Sequence, residues 1–126
     1  MVGSRVSNQS GKKTLYRYNA VCTRVIDGDT VDAMVDLGFS VWIHCRVRLQ
    51  GIDAPETRTK NLKEKQAGLK TKAFLEQVMT DCDNKFVLES HGVGKYGRCL
   101  GTIYVDGENI NQVLLVEGYA ERYEKN

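Results

Sequence analysis

The chain predicts an α+β fold in which one small barrel-like sheet carries two helices. Three observations carry that prediction. Three strand-like runs come first, separated by glycine-centred turn signals. A long helical period follows. Two further strand-like runs then precede a second, shorter helical stretch. No internal repeat or linker interrupts this order, and 126 residues suit one domain that buries about two-thirds of its unfolded surface.

Residues 1–14 are rich in Ser, Gly, Asn, Gln and Lys and have no hydrophobic period, so they are expected to form a disordered arm ahead of a domain spanning 15–126. Leu15 to Ile26 reads as the first strand, rich in Tyr, Val and Thr, and Asp27-Gly28-Asp29-Thr30 is a hairpin-type turn signal. Thr30 to Leu37 is the second strand, with Val31, Ala33, Val35 and Leu37 on one face. Gly38 marks the next turn. Val41 to Gln50 alternates most clearly. Val41, Ile43, Cys45, Val47 and Leu49 are expected in the core, whereas Trp42, His44, Arg46, Arg48 and Gln50 face water or a groove. A single aromatic such as Trp42 is read as a packing residue.

Thr57 to Lys65 is a basic loop. From about Lys63 to Asp81 the period turns helical, with Leu75, Val78, Met79 and Cys82 on one face. Asp83-Asn84 ends the helix, Lys85 to Glu89 is the fourth strand, and Ser90 to Gly97 is a glycine-rich connection. Cys99 to Val105 is the fifth strand and Asp106-Gly107 a turn. Asn109 to Glu117 is a short amphipathic helix with Asn109 or Asn111 available as N-cap and Gly118 as its stop. The structure of Tyr119 to Asn126 is left open. Three meandering strands, a helix and two more strands is the element order of a five-stranded OB-type barrel, an architecture that binds nucleic acids or sugars without fixing any function.

Composition narrows the partners. Hydrophobic residues at 41% and charged residues at 27% describe an ordinary soluble domain, and a net charge of +2 does not by itself mark a nucleic-acid binder. No run approaches the ~20 apolar residues of a membrane span, so no membrane partner is expected. The polar N-terminal stretch has no apolar signal core, which favours a cytoplasmic protein. Cys22, Cys45, Cys82 and Cys99 form no C-x-x-C pair and are expected as reduced, buried thiols.

Chemistry concentrates in three separated stretches where charge adjoins glycine: Asp27–Thr30, Arg48–Glu56 and Lys95–Arg98. A second aspartate after the turn glycine adds like-charge repulsion unless something positive lies between the carboxylates. Asp29 and Asp53 are candidates to share a hard divalent cation, and the lack of soft ligands favours calcium or magnesium over zinc or copper. Phosphodiester hydrolysis needs a base for water, a cation for the non-bridging oxygens and donors for the leaving oxygen. Glu56, a divalent ion, and Arg48 with Arg98 would supply them, the planar guanidinium suiting phosphate better than an ammonium. The bland alternative pairs both arginines with Asp53 and Glu56 as surface salt bridges.

These stretches, in this order and with a helix between the second and third, resemble the thermonuclease (staphylococcal nuclease-like) family over roughly Tyr16 to Gly118. The matching residues are Ile26-Asp27-Gly28-Asp29-Thr30-Val31, then Arg48-Leu49 with Asp53-Ala54-Pro55-Glu56, then Lys95-Tyr96-Gly97-Arg98. The resemblance implies calcium-dependent cleavage of DNA and RNA, single strands preferred, to 3′-phosphate ends by a monomeric enzyme. Asp29, Asp53 and the Ala54 carbonyl are the implied calcium ligands, with magnesium second to calcium, and Asp27 and Thr30 lie close behind them. Glu56 is the implied general base acting through water. Arg48 and Arg98 are the implied phosphate-binding catalytic arginines, and Lys95 and Tyr96 contact a terminal substrate phosphate. Ala54 stands where a threonine is frequent, and the connection around Asp36 to Trp42 is longer than in the secreted prototype. The family's C-terminal helix is expected to be truncated or absent, and its base-stacking tyrosines have no clean match in Tyr119 or Tyr123. An intracellular or phage-encoded nuclease fits better than a secreted one. The competing expectations are a non-catalytic module of the same fold that binds nucleic acid or protein, and a plain OB-type oligonucleotide binder, which needs exposed aromatics on the sheet face and has Trp42 as one candidate.

Overall fold

A computed structural model describes residues 16–123; the arm expected over residues 1–14 lies outside the described residues, as do residues 124–126. In chain order the elements are β1 (Tyr16–Asp27), β2 (Thr30–Gly38), β3 (Val41–Leu49), β4 (Ile52–Asp53), α1 (Leu62–Asp81), β5 (Lys85–Val93), β6 (Cys99–Val105), β7 (Glu108–Asn109), α2 (Ile110–Val116) and β8 (Glu121–Arg122). The five long strands pair antiparallel in the order β3-β2-β1-β5-β6. A parallel β3–β6 pairing, with Val47 opposite Cys99, closes them into a barrel. This is the five-stranded barrel with two helices that the sequence predicts.

The closed barrel forms because alternate residues of each strand point inward. Val31, Val47, Leu49 and Ile103 are fully buried, and Leu75 and Met79 of α1 and Leu114 of α2 join the same core. Each such side chain contributes about 1.5–3 kcal/mol on burial. Asn109 caps α2, its side chain accepting from the Gln112 N–H at 3.0 Å. Asn111 is instead a buried tie across the barrel seam. Its amide donates to the carbonyls of Gln50 (3.0 Å) and Gly101 (3.1 Å) and its oxygen accepts from the Ile103 N–H (3.1 Å). All four cysteines are free thiols. Burial, helped by the adjacent Cys99 thiol, pushes Cys45 up to about 11.

Three expectations change, and one segment left open gains a pairing. Leu37, Val41 and Ile43 are exposed, not core. The β1–β2 pairing ends at Ala20 opposite Val35, so beyond Val35 the β2–β3 hairpin has no third strand beside it among the described residues. Trp42, on that part of the hairpin, is 47% exposed and packs into no core. Ser90 to Val93 continues β5 through a register shift between Ser90 and Gly92, and only Lys95–Gly97 forms a tight turn. After Gly118, where the sequence leaves the structure open, β8 pairs with β4, Glu121 opposite Asp53.

Candidate active site

The site is built where the β1–β2 turn, the segment after β3 and the β5–β6 turn meet. Gly28 carries the first of these, and its role is space. A Cβ there would lie 2.4 Å from the Thr71 methyl of α1 and 3.0 Å from the Ala54 Cβ. Its backbone is not in the left-handed region, so the Asp-Gly pair serves close helix packing, not a primed turn. Thr71 is itself fixed, donating to the Tyr119 carbonyl at 2.7 Å. Asp29 is buried and almost fully engaged. One carboxylate oxygen accepts from Thr30 Oγ1 (3.0 Å) and the other from the Ala54 N–H (2.9 Å). Asp27 accepts from Thr57 Oγ1 at 2.7 Å and so ties the loop after Glu56 to the first turn.

Arg48 lies on the outer face of β3, as expected, yet it is only 8% exposed. Its Nη1 donates to the Leu49 and Ile52 carbonyls, both at 2.8 Å. Its Nη2 lies 3.3 Å from Asp53 Oδ1 and 3.7 Å from Asp29 Oδ2. It is therefore neither a surface salt bridge nor a mobile charge but a guanidinium clamped between two carboxylates. Asp53 is held above the ordinary carboxylate range, first by desolvation and then by the Asp29 charge, with Arg48 opposing. Glu56 is exposed, and its N–H donates to a Glu64 carboxylate oxygen at 3.4 Å. Gly68 of α1 sets the position of this segment: a Cβ there would meet the Pro55 and Glu56 carbonyls at 2.5 and 2.8 Å.

The third stretch brings Arg98 in from the other side of the barrel seam. Tyr96 has a left-handed backbone (φ 62°) that reverses the chain, and the Gly94 N–H bonds the Arg98 carbonyl at 2.7 Å. The Arg98 Nε is buried and has no hydrogen-bond partner among the described residues. A buried guanidinium nitrogen left unpaired is costly, and Arg98 is one of the residues that line the cleft.

Together these segments line a cleft of ≈ 400 Å³ containing Thr30, Arg48, Ala54 and Arg98. Five carboxylates, Asp27, Asp29, Asp53, Glu56 and Glu64, share it with those two arginines. Lys95 stands on an adjoining groove of ≈ 770 Å³ with Arg48, Arg98 and Tyr123, whereas Tyr96 lines neither and is 92% exposed. Among the described residues no three His, Cys, Asp or Glu side chains gather tightly enough to hold a metal by themselves. The hard-oxygen set is thus two carboxylates, Asp29 and Asp53, with backbone oxygen and water left to complete a shell. The excess of acid over arginine, five carboxylates to two, fits a hard divalent cation. The Ala54 N–H, not its carbonyl, is the group that contacts Asp29.

Sequence reasoning missed three contributors. Glu64 reaches the cleft from the first turn of α1, where Asn61 caps its N–H at 3.1 Å. Thr57 anchors Asp27. Tyr123 places its ring 5.6 Å from the Arg48 guanidinium and hydrogen-bonds the Gly51 carbonyl through its N–H at 2.9 Å. An Asn-x-x-Glu capping pattern was the available signal for Glu64; Tyr123 depends on the β4–β8 pairing, which no local pattern announces.

Comparison with known proteins agrees with this geometry. The family model described as Staphylococcal nuclease homologue matches residues 46–126. The chain is 33% identical over 109 residues to Protein ParB of Escherichia coli, covering 79% of this chain and 54% of that protein. It is 33% identical over 97 residues to the Thermonuclease of Staphylococcus intermedius, covering 77% and 55%. It is 36% identical over 78 residues to the Staphylococcal-like nuclease CAN1 of Arabidopsis thaliana, covering 62% and 22%. The chain spans about half the length, or less, of these relatives. With its barrel, its three converging segments and a family match over most of its length, the chain belongs to the staphylococcal nuclease family.

Proposed function

We propose that this domain is a nuclease that hydrolyses phosphodiester bonds of DNA or RNA, with single strands preferred, calcium as its ion and 3′-phosphate ends as its products. The observation that carries this reading is the unpaired, buried Nε of Arg98 beside a cleft whose other cation, Arg48, is already fixed by two carbonyls and two carboxylates. A salt-bridge network would have paired both arginines. An anion site leaves one donor set waiting.

Asp29, Asp53 and the Ala54 carbonyl would hold the calcium ion. When bound, the ion supplies positive charge to the non-bridging phosphate oxygens and lowers the pKa of a bound water. Arg48 is oriented before substrate arrives, so it accepts phosphate charge with little reorganisation. Glu56, exposed at the cleft and held through its backbone by Glu64, takes the proton from the attacking water. Arg98 binds the phosphate and offers a proton-bearing nitrogen to the departing 5′ oxygen, leaving phosphate on the 3′ end. Lys95, on the adjoining groove, neutralises a neighbouring phosphate, and Tyr96, at the turn rim, contacts it. The molecule acts as a monomer in this reading.

The test is incubation of purified protein with single-stranded DNA and RNA in calcium, in magnesium and in chelator, with product ends mapped. Calcium-dependent fragments carrying 3′-phosphate are expected. Tight binding without cleavage in any metal would make the domain a nucleic-acid-binding module instead.

A further inference from the structure

The charge of this chain is unevenly placed. Residues 57–73 hold six of its 18 basic residues and one of its 16 acidic ones, a net charge of +5, so the remainder sums to −3. The six are Arg58, Lys60, Lys63, Lys65, Lys70 and Lys72, on the loop after Glu56 and the first three turns of α1. Five of them are exposed and Lys72 is half-buried. Among the described residues the ion pairs of arginine and lysine belong to Arg17, Arg46, Arg48 and Lys85, and none of the six makes one. The buried face of α1 is Gly68, Thr71, Leu75 and Met79. The four lysines of the helix fall outside it, Lys63 in line with Lys70 and Lys65 in line with Lys72, because seven residues make close to two full turns. Asp53, Glu64 and Glu121 line a hollow of ≈ 420 Å³ with Lys63, and Glu76 follows Lys72 by about one turn. Four acids against six cations leave this surface positive.

The segment borders the cleft. Thr57 Oγ1 donates to Asp27, and the hollow beside Lys63 shares Asp53, Ala54, Pro55 and Glu64 with the cleft. The groove at Lys95 meets the cleft through a different set, Arg48, Arg98 and Tyr123. The cleft therefore opens in two directions. Its own five carboxylates outnumber its two arginines, so its field repels a polyanion. A positive surface alongside offsets that repulsion and raises the rate of encounter. We propose that the stretch from Arg58 to Lys72 is an electrostatic docking surface for the phosphate backbone of a nucleic-acid strand that extends beyond the cleft. The occupant is a nucleic acid because the cations lead into a cleft built for phosphate. The exposed leucines among them, Leu62 and Leu69, form too narrow an apolar face for a helix lying in a lipid surface. Lysine contacts to phosphate position a strand without reading its sequence. The inference rests on the nuclease reading above.

The test combines Lys63→Gln, Lys65→Gln, Lys70→Gln and Lys72→Gln in one variant. Glutamine matches lysine in helix propensity, and a thermal melt checks that the fold is kept. For a roughly twenty-nucleotide single strand, KM should rise on the order of 10-fold at ~0.05 M salt, with kcat unchanged. The gap should close near ~1 M salt, where screening reaches contact distances. Each lost lysine–phosphate contact should flatten the slope of log KM against log salt by about 0.7. A variant with arginine at the same four positions should keep the wild-type KM. A trinucleotide, too short to run from the cleft along the helix, should respond less than the long strand at every salt concentration. An unchanged KM at low salt would overturn the proposal. So would an equal flattening per charge in Arg17→Gln with Lys85→Gln, which would make net charge alone the cause. Binding of the wild type to phosphatidylserine vesicles, lost in the glutamine variant while the strand KM stays the same, would make the occupant a lipid surface instead. If neither substrate is cleaved in calcium, the nuclease reading fails on its own, and the anisotropy of an end-labelled strand titrated in chelator still decides whether these lysines hold it.

Discussion

The two ends of the β2–β3 hairpin are made of the same strands with the same alternation, yet they are opposites. At the cleft end Thr30 and Arg48 face each other across the pair, both buried, and Arg48 donates to two carbonyls and faces two carboxylates. At the far end Asp36 pairs with Trp42, and Leu37, Phe39, Val41 and Ile43 are all exposed. The difference lies in what stands beside and above the ribbon. At the cleft end β1 and β6 pair alongside it, and Asp53 and Ala54 contact Arg48 and Asp29. Past Val35 no strand of the described residues pairs beside it. A strand's pattern decides which residues share a face; the neighbouring layers decide whether that face is wet.

The largest expected effects break the cleft end. Arg98→Ala should lower the cleavage rate on the order of 10³-fold, as removal of a preorganised charge at a phosphoryl transition state does. Its melting temperature should stay near wild type, because the lost Nε has no partner to strand. Arg48→Ala should lose activity to a similar extent and also destabilise the fold by about 3–5 kcal/mol, since Asp29 and the Leu49 and Ile52 carbonyls lose their donor in a buried setting. Rate assays and thermal melts on the two variants separate these cases. Equal stability losses would mean that Arg98 is as structurally embedded as Arg48.

Gly68→Ala tests the same end from behind. The new methyl would collide with the Pro55 and Glu56 carbonyls. Overpacking of this kind costs about 1–3 kcal/mol, partly offset by the roughly 1 kcal/mol that alanine gains over glycine inside a helix. The net stability change should therefore be small and the loss of activity large, because the Glu56 segment is displaced. A melt and a rate measured on one preparation check this, and an unaltered rate would show that the Glu56 segment tolerates the shift.

These cases show what the sequence made legible. The barrel, both helices and the three segments of the cleft were readable, because turn glycines, alternation and helical period are local signals. Arg48, Asp29 and Arg98 meet as expected, since the motifs carrying them sit at strand ends that any such barrel brings to one rim. What was not legible depended on layers. The alternation of Val41 and Ile43 points to the core, but among the described residues β1 stops pairing at Val35 and leaves both exposed. Glu64 and Tyr123 entered the cleft through a helix cap and a two-residue strand pairing, and neither leaves a pattern strong enough to point at a site. Asp27 lines the same cleft as Asp29 and Asp53, and its bond to Thr57, which the sequence does not announce, also anchors the Glu56 loop.

A smaller effect lies midway along the hairpin, at Asp32. Its bidentate bond from Arg46 holds the carboxyl below the ordinary range, with desolvation opposing. A depressed folded pKa stabilises at pH values above the unfolded carboxylate pKa, and that stabilisation disappears as pH falls through the folded value. The stability gap between wild type and Asp32→Asn should therefore be full at neutral pH and shrink in acid. Denaturant midpoints taken down the pH scale measure it, and a gap independent of pH would deny the pair any electrostatic share.

The smallest effect belongs to the tip. Phe39 and Ser40 both have positive φ, at 54° and 65°, in a two-residue connection between Gly38 and Val41. That geometry favours Asn-Gly, and neither Phe nor Ser occupies it without strain. Replacing the two residues by Asn-Gly should stabilise the domain by about 1 kcal/mol through the backbone alone. The same replacement at the cleft end, where Gly28-Asp29 has no positive φ and Asp29 is buried, would destroy the site. A melt of the Phe39→Asn, Ser40→Gly variant that shows no gain would mean that the Phe39 ring makes contacts in solution worth as much as the strain it imposes. The wet end of the hairpin would then be as specified by its sequence as the dry one.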